Sequence, residues 1–115
     1  MNDVLREAWD DIVVFNDQHF PGWRQTDLRL LTNALSGEAG ELCNSAKHLY
    51  GGGTKVVNVD QDEILEEAAD VFVYLALLVE WVAGGDGVTA NRFAYAIREK
   101  MRVNRERMEA RKTPG

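Results

Sequence analysis

With 115 residues, 45% of them hydrophobic and 28% charged, the chain has the composition of one ordinary globular domain, residues 1–115 with a core over about 3–110, and not that of a disordered segment. A formal net charge of −6 argues against a general nucleic-acid binder, which needs a basic face for phosphates. It leaves a phosphate-bearing small molecule open, because a bound divalent cation reverses the local sign.

In chain order, almost everything reads as helix. Over residues 3–18, Val4, Leu5, Ala8, Trp9, Ile12, Val13 and Phe15 recur with helical spacing between polar residues. His19-Phe20-Pro21-Gly22-Trp23 interrupts the pattern, with Pro and Gly as turn punctuation. Asp27, or Thr26 just before it, is placed to cap a second helix that runs to about Tyr50. Gly51-Gly52-Gly53 ends that helix, and residues 51–59 read as loop. Asp60 or Asp62 caps the third helix, with Glu63 in its first turn, and Gly84-Gly85-Asp86-Gly87 stops it after about Ala83. A fourth helix runs from about Thr89 to Ala110, before a frayed Thr-Pro-Gly tail. The predicted fold is all-α, a protomer resembling a four-helix bundle.

Between residues 71 and 82 the third helix carries one charged residue, Glu80, and is otherwise apolar on every side. Such a helix must be surrounded, and four helices in a small monomer rarely surround one of their own members. Self-association into a homodimer or homotetramer is the simpler expectation. The apolar run over residues 71–79 is too short to span a bilayer, and the N-terminus carries early acids without an apolar signal core. Cys43 is the single cysteine, which excludes an internal disulfide and fits a reducing compartment. It reads as a small apolar filler on its helix. The expected protein is cytoplasmic, with neither membrane nor nucleic acid as partner.

Two acid pairs carry the chemistry: Glu38 and Glu41 in SGEAGEL, then Glu67 and Asp70 in LEEAADVFVYLALL. Residues three apart on a helix differ by about 60° around the axis and by about 4.5 Å along it, so each pair shares one side. A lone pair of this kind is ordinary on a solvated helix face. Two details point further. Gly37 and Gly40 interleave with the first pair, and each costs about 1 kcal/mol relative to Ala in a helix interior, which suggests close approach of a backbone or ligand. Asp70 sits between Ala68-Ala69 and Val71-Phe72-Val73, the composition of a core edge. Glu63 and Glu66 lie within about 50° of Asp70 and can join its rim. Convergent carboxylates without a Cys partner and with few His suit a hard divalent cation, most naturally Mg²⁺, with Mn²⁺ as substitute.

At these residues the chain resembles the all-α MazG-like nucleoside triphosphate pyrophosphatases, including dCTP pyrophosphatases and dimeric dUTPases. Their E-x-x-E on one helix and E-x-x-D on the next match Glu38, Glu41, Glu67 and Asp70, and the likeness runs over about residues 5–107. The resemblance implies Mg²⁺-dependent hydrolysis of a nucleoside triphosphate to the monophosphate and pyrophosphate, in nucleotide pool control or house-cleaning. The four acids would hold the metal, with Glu38 as general base. Lys100 and Asn104, with Arg105 beside them, match residues that bind phosphate or sugar, although cations also suit a helix C-terminus. Tyr74 matches an aromatic beside the deoxyribose, and Trp23 falls where relatives place a base-stacking ring; ordinary core packing is the alternative for both. Gly37 stands where some relatives carry another acid, the 51–59 loop lacks obvious base-reading side chains, and no Tyr-Pro follows the basic motif. Phosphoribosyl-ATP pyrophosphatase activity and a non-catalytic helical interaction module are the competing readings.

Overall fold

The computed structural model describes residues 3–50 and 61–112. They form α1 (Val4–His19), a 3₁₀ turn (Trp23–Gln25), α2 (Leu28–Tyr50), α3 (Gln61–Ala83) and α4 (Thr89–Lys112). Among the described residues there is no strand, so the all-α expectation holds.

Local chemistry sets the boundaries. After α1, Gly22 takes φ 82°, a backbone conformation that side-chain-bearing residues rarely adopt. Of the two candidates, Asp27 caps α2: its Oδ1 accepts the Arg29 N–H at 2.9 Å. Asp62 lies inside the first turn of α3 with Glu63, where both complement the helix dipole, so it is not the cap. Asp60 and the 51–59 loop lie outside the described residues. Gly84 (φ 90°) and Gly85 (φ 64°) turn the chain out of α3. Asp86 Oδ1 then accepts from the Val88 N–H at 3.0 Å and from the Thr89 hydroxyl at 3.3 Å, which opens α4. That helix extends past Ala110 through Arg111 and Lys112, cations suited to a helix C-terminus.

Helices α2 and α3 form the most extensive contact in the molecule. They run antiparallel: Ser45 late in α2 bonds to Glu67 early in α3, while Glu38 early in α2 meets Asp70 further along α3. Helix α1 lies along α3 in the same direction. Leu5 shares a groove with Leu65, and Asp17 shares another with Gly84. Helix α4 packs on α1 and α3, and Trp9 joins all three through ring contacts to Phe72 (5.9 Å between centroids) and Phe93 (5.4 Å).

The core is small. Trp9, Trp23, Ala76 and Leu77 are buried, together with Glu80 and Thr89. Glu80, the one charge in the apolar length of α3, points inward. Trp9 Nε1 donates to its Oε1 at 2.9 Å and an Arg24 nitrogen lies 3.6 Å from its Oε2. A buried carboxylate requires such partners.

Other apolar groups find no cover. Leu65 is 67% exposed and Val82 68%. Cys43 is exposed rather than a buried filler; among the described residues α3 supplies the one extensive contact of α2. Gly37 and Gly40 also face open space, since nothing among the described residues lies within 4 Å of a Cβ built on either. Their backbones are helical, so Gly40→Ala is expected to stabilise the fold by about 0.5–1 kcal/mol, read as a rise in Tm. A fall in Tm would mean that another chain or a ligand approaches there.

Asp17 links the fold to pH. A hydrogen bond from Trp23 holds its carboxyl below the ordinary range, with the Arg24 hydrogen bond and charge adding to the effect against partial burial. Its folded pKa is therefore lower than its unfolded one, so its contribution is full above about pH 5 and is lost as pH falls through the unfolded value of about 3.9 toward the lower folded one. The group is about half exposed, so solvent screening limits the contribution to less than about 1 kcal/mol. Asp17→Asn should flatten the loss of stability between about pH 5 and 3, measured by denaturant titration at each pH.

Candidate active site

Three helices enclose an open cleft of about 550 Å³. Glu38 comes from α2, and Asp70, Val73, Tyr74 and Leu77 from α3. Asp11, Ile12, Phe15 and Asn16 come from α1, with Phe20 just beyond it. The volume is that of a small-molecule site. Because α1 and α3 run the same way, the cleft has two ends. Leu77 lies about 10 Å beyond Asp70 along α3, and α1 runs beside that length from Asp11 to Asn16.

The acid end is crowded with negative charge. Partial desolvation raises the proton affinity of the Glu38 carboxyl above the ordinary range, followed by the charges of Glu41 and Asp70, a hydrogen bond with Glu41, and the charge of Glu67. Glu41, Asp70 and Glu67 therefore all lie within electrostatic reach of Glu38. Glu38 and Glu67 are half-buried, whereas Glu41 and Asp70 are exposed. Their oxygens are neighbours without being gathered: among the described residues no three His, Cys, Asp or Glu side chains come close enough to hold a metal ion together.

One oxygen marks what the acids lack. Glu67 Oε1 accepts from the Ser45 hydroxyl at 2.9 Å, while Glu67 Oε2 is buried without a hydrogen-bond partner among the described residues. A buried carboxylate oxygen with no donor is costly, and a cation relieves it. The donor set is carboxylate oxygen throughout, which fits a hard divalent ion.

The remaining predicted residues divide. Tyr74 lines the cleft one helical turn beyond Asp70. Trp23 does not line it: the ring is 6% exposed, its indole N–H donates to Asp17 Oδ1 at 2.8 Å, and the Arg24 guanidinium lies 4.5 Å from its centroid. Core packing is its role within the chain. Lys100, Asn104 and Arg105 sit on α4 and are not among the cleft-lining residues. Arg105 borders a separate hollow of about 640 Å³ with Tyr95, Met101 and Arg102. That hollow is lined by α4 alone and contains none of the four acids, so its larger size does not make it the site.

The α1 wall escapes a reading of the acid motifs. Residues 11, 12, 15 and 16 recur as one helix face, yet Phe15 and Ile12 count equally well as ordinary core positions. What separates them is visible only in three dimensions: Phe15 is 57% and Phe20 58% exposed, and both line the cleft.

One carboxylate from each of two adjoining antiparallel helices, Glu38 and Asp70, opens to a cleft in this all-α domain. The chain belongs to the MazG nucleotide pyrophosphohydrolase domain family, whose model matches residues 25–108. The activity of that domain is nucleotide pyrophosphohydrolysis, which places the chain among hydrolases. The match covers α2, α3 and most of α4, and begins after α1. Among curated proteins and among solved structures, nothing matches. No helix among the described residues is long and apolar enough to cross a membrane.

Proposed function

We propose that this chain is a divalent-cation-dependent nucleoside triphosphate pyrophosphohydrolase that acts as a homodimer or homotetramer and uses Mg²⁺, with Mn²⁺ as substitute. Hydrolysis breaks the α–β phosphoanhydride: water oxygen bonds to the α-phosphorus, and pyrophosphate leaves the nucleoside monophosphate. The observation that carries this reading is the nearness of Glu41, Glu67 and Asp70 to Glu38, beside a Glu67 oxygen that finds no partner among the described residues. A divalent cation held by those four residues would neutralise phosphate charge and acidify the attacking water.

The residues themselves supply the rest. Glu38, which lines the cleft, suits the general base that takes the water proton. Ser45 fixes one oxygen of Glu67 and so orients that carboxylate. Tyr74, one turn from Asp70, flanks the sugar. Lys100, Asn104 and Arg105 remain the phosphate- and sugar-binding candidates, brought to the cleft by a second copy.

The test is pyrophosphate release from a panel of ribo- and deoxynucleoside triphosphates with Mg²⁺, then with a chelator. Pyrophosphate and monophosphate in equal amounts, lost on chelation, support the reading. Release of single phosphate, or no turnover of any nucleotide, overturns it.

A further inference from the structure

The turn after α1 is pinned at several points by one side chain. Arg24 Nη1 donates to Asp17 Oδ1 on α1 at 2.7 Å. Arg24 Nη2 lies 3.6 Å from Oε2 of Glu80 on α3, a carboxylate only 4% exposed. The guanidinium carbon is 4.5 Å from the centre of the Trp23 ring, whose indole N–H shares the same Asp17 oxygen. Gly85 leaves room for the group, since a Cβ there would sit 3.1 Å from Arg24 Nε. Arg24 thus ties α1, α3 and the turn together. A lysine, with a single point charge and no planar face, cannot make all three contacts.

The consequence reaches the cleft through the backbone. The Trp23 N–H donates to the Phe20 carbonyl at 3.1 Å, so fixing Trp23 fixes the main chain of Phe20. The Phe20 ring lines the same cleft as Glu38 and Asp70, yet is 58% exposed. A large apolar ring left open on a concave wall, with its backbone held, is prepared for a planar group to cover it. Asp17, Phe20 and Arg24 all precede residue 25, where the family match begins.

We propose that Arg24 is a positioning residue for this cleft: bridging Asp17 and Glu80 across Trp23, it holds Phe20 as a stacking face for the base of a nucleotide. The assignment rests on the nucleotide reading above. The acids hold the phosphates, and Phe20 receives the base from the α1 side of the same cleft.

Steady-state pyrophosphate release, with kcat and KM measured separately on the fastest nucleotide of the panel, tests it. Phe20→Ala should raise KM about tenfold, the scale of one lost base–aromatic stack, with the change falling on KM rather than kcat. Arg24→Ala and Asp17→Asn should raise KM by a similar factor. Each combined with Phe20→Ala should be no worse than Phe20→Ala alone, because the clamp acts through that ring. Arg24→Ala strips a buried carboxylate of its cation and can prevent folding. Asp17→Asn leaves the Glu80 contact in place and decides the matter in that event. Clamp variants that lower kcat at constant KM, or whose KM effects multiply with that of Phe20→Ala, overturn the positioning role. An active wild type indifferent to Phe20→Ala overturns this assignment alone, whereas a wild type inactive on every nucleotide overturns the pyrophosphohydrolase reading itself.

Discussion

Asp70→Asn is expected to slow pyrophosphate release by about 100-fold or more while leaving the helical fold intact, and Glu41→Gln is expected to do the same. Loss of even an outer partner of a metal site costs about 10–100-fold, so loss of a direct ligand should cost at least that much. Both side chains are exposed, and the amide keeps the size of the acid, so neither change opens a cavity or strands a buried group. Each removes one negative charge from the cluster that raises the proton affinity of Glu38. Circular dichroism checks the fold, and calorimetry with Mg²⁺ and a non-hydrolysable triphosphate checks the cation. Two folded variants that retain full turnover would remove the four acids from the chemistry.

The second large effect concerns assembly. Light scattering at micromolar concentration should give a mass at least twice the 12.9 kDa of one chain. A compact domain of this length has a radius of gyration of about 13 Å, whereas this chain has 17.8 Å. A folded monomer of this mass exposes about 6,300 Å², against 8600 Å² here. The excess of about 2,300 Å² is more than the roughly 800 Å² per partner of a standard interface. Leu65, 67% exposed in the α1–α3 groove beside Leu5 and Phe72, is one residue that a second copy would cover. Leu65→Asp should shift the mass toward a single chain and cost about 2 kcal/mol per copy, the scale of one buried leucine. A wild-type mass of one chain would defeat the proposal.

The helices were legible in the sequence because their signals are local. Apolar recurrence marks α1, a capping aspartate starts α2, and glycines stop α3. The nearness of the four acids was legible too, since the spacing of each pair sets its face and antiparallel packing brings the pairs together. Trp23 was not, because a loop aromatic is equally suited to stack on a ligand or to fill a core. Only its bond to Asp17 and the guanidinium above it decide for the core. Cys43 misled for a related reason: its size suggests close packing, but among the described residues no neighbouring helix covers that part of α2. The α1 side of the cleft depends on which way α1 runs beside α3, a matter of tertiary arrangement that residue order alone does not state.

One consequence follows from where that side originates. The four acids and the opposing aromatic wall are encoded in successive stretches of the polypeptide, with the boundary near residue 25. On the roles proposed above, exchange of the leading helix would retune which molecules are admitted while the bond-breaking apparatus stayed as it is, leaving selectivity and reactivity free to evolve at different speeds.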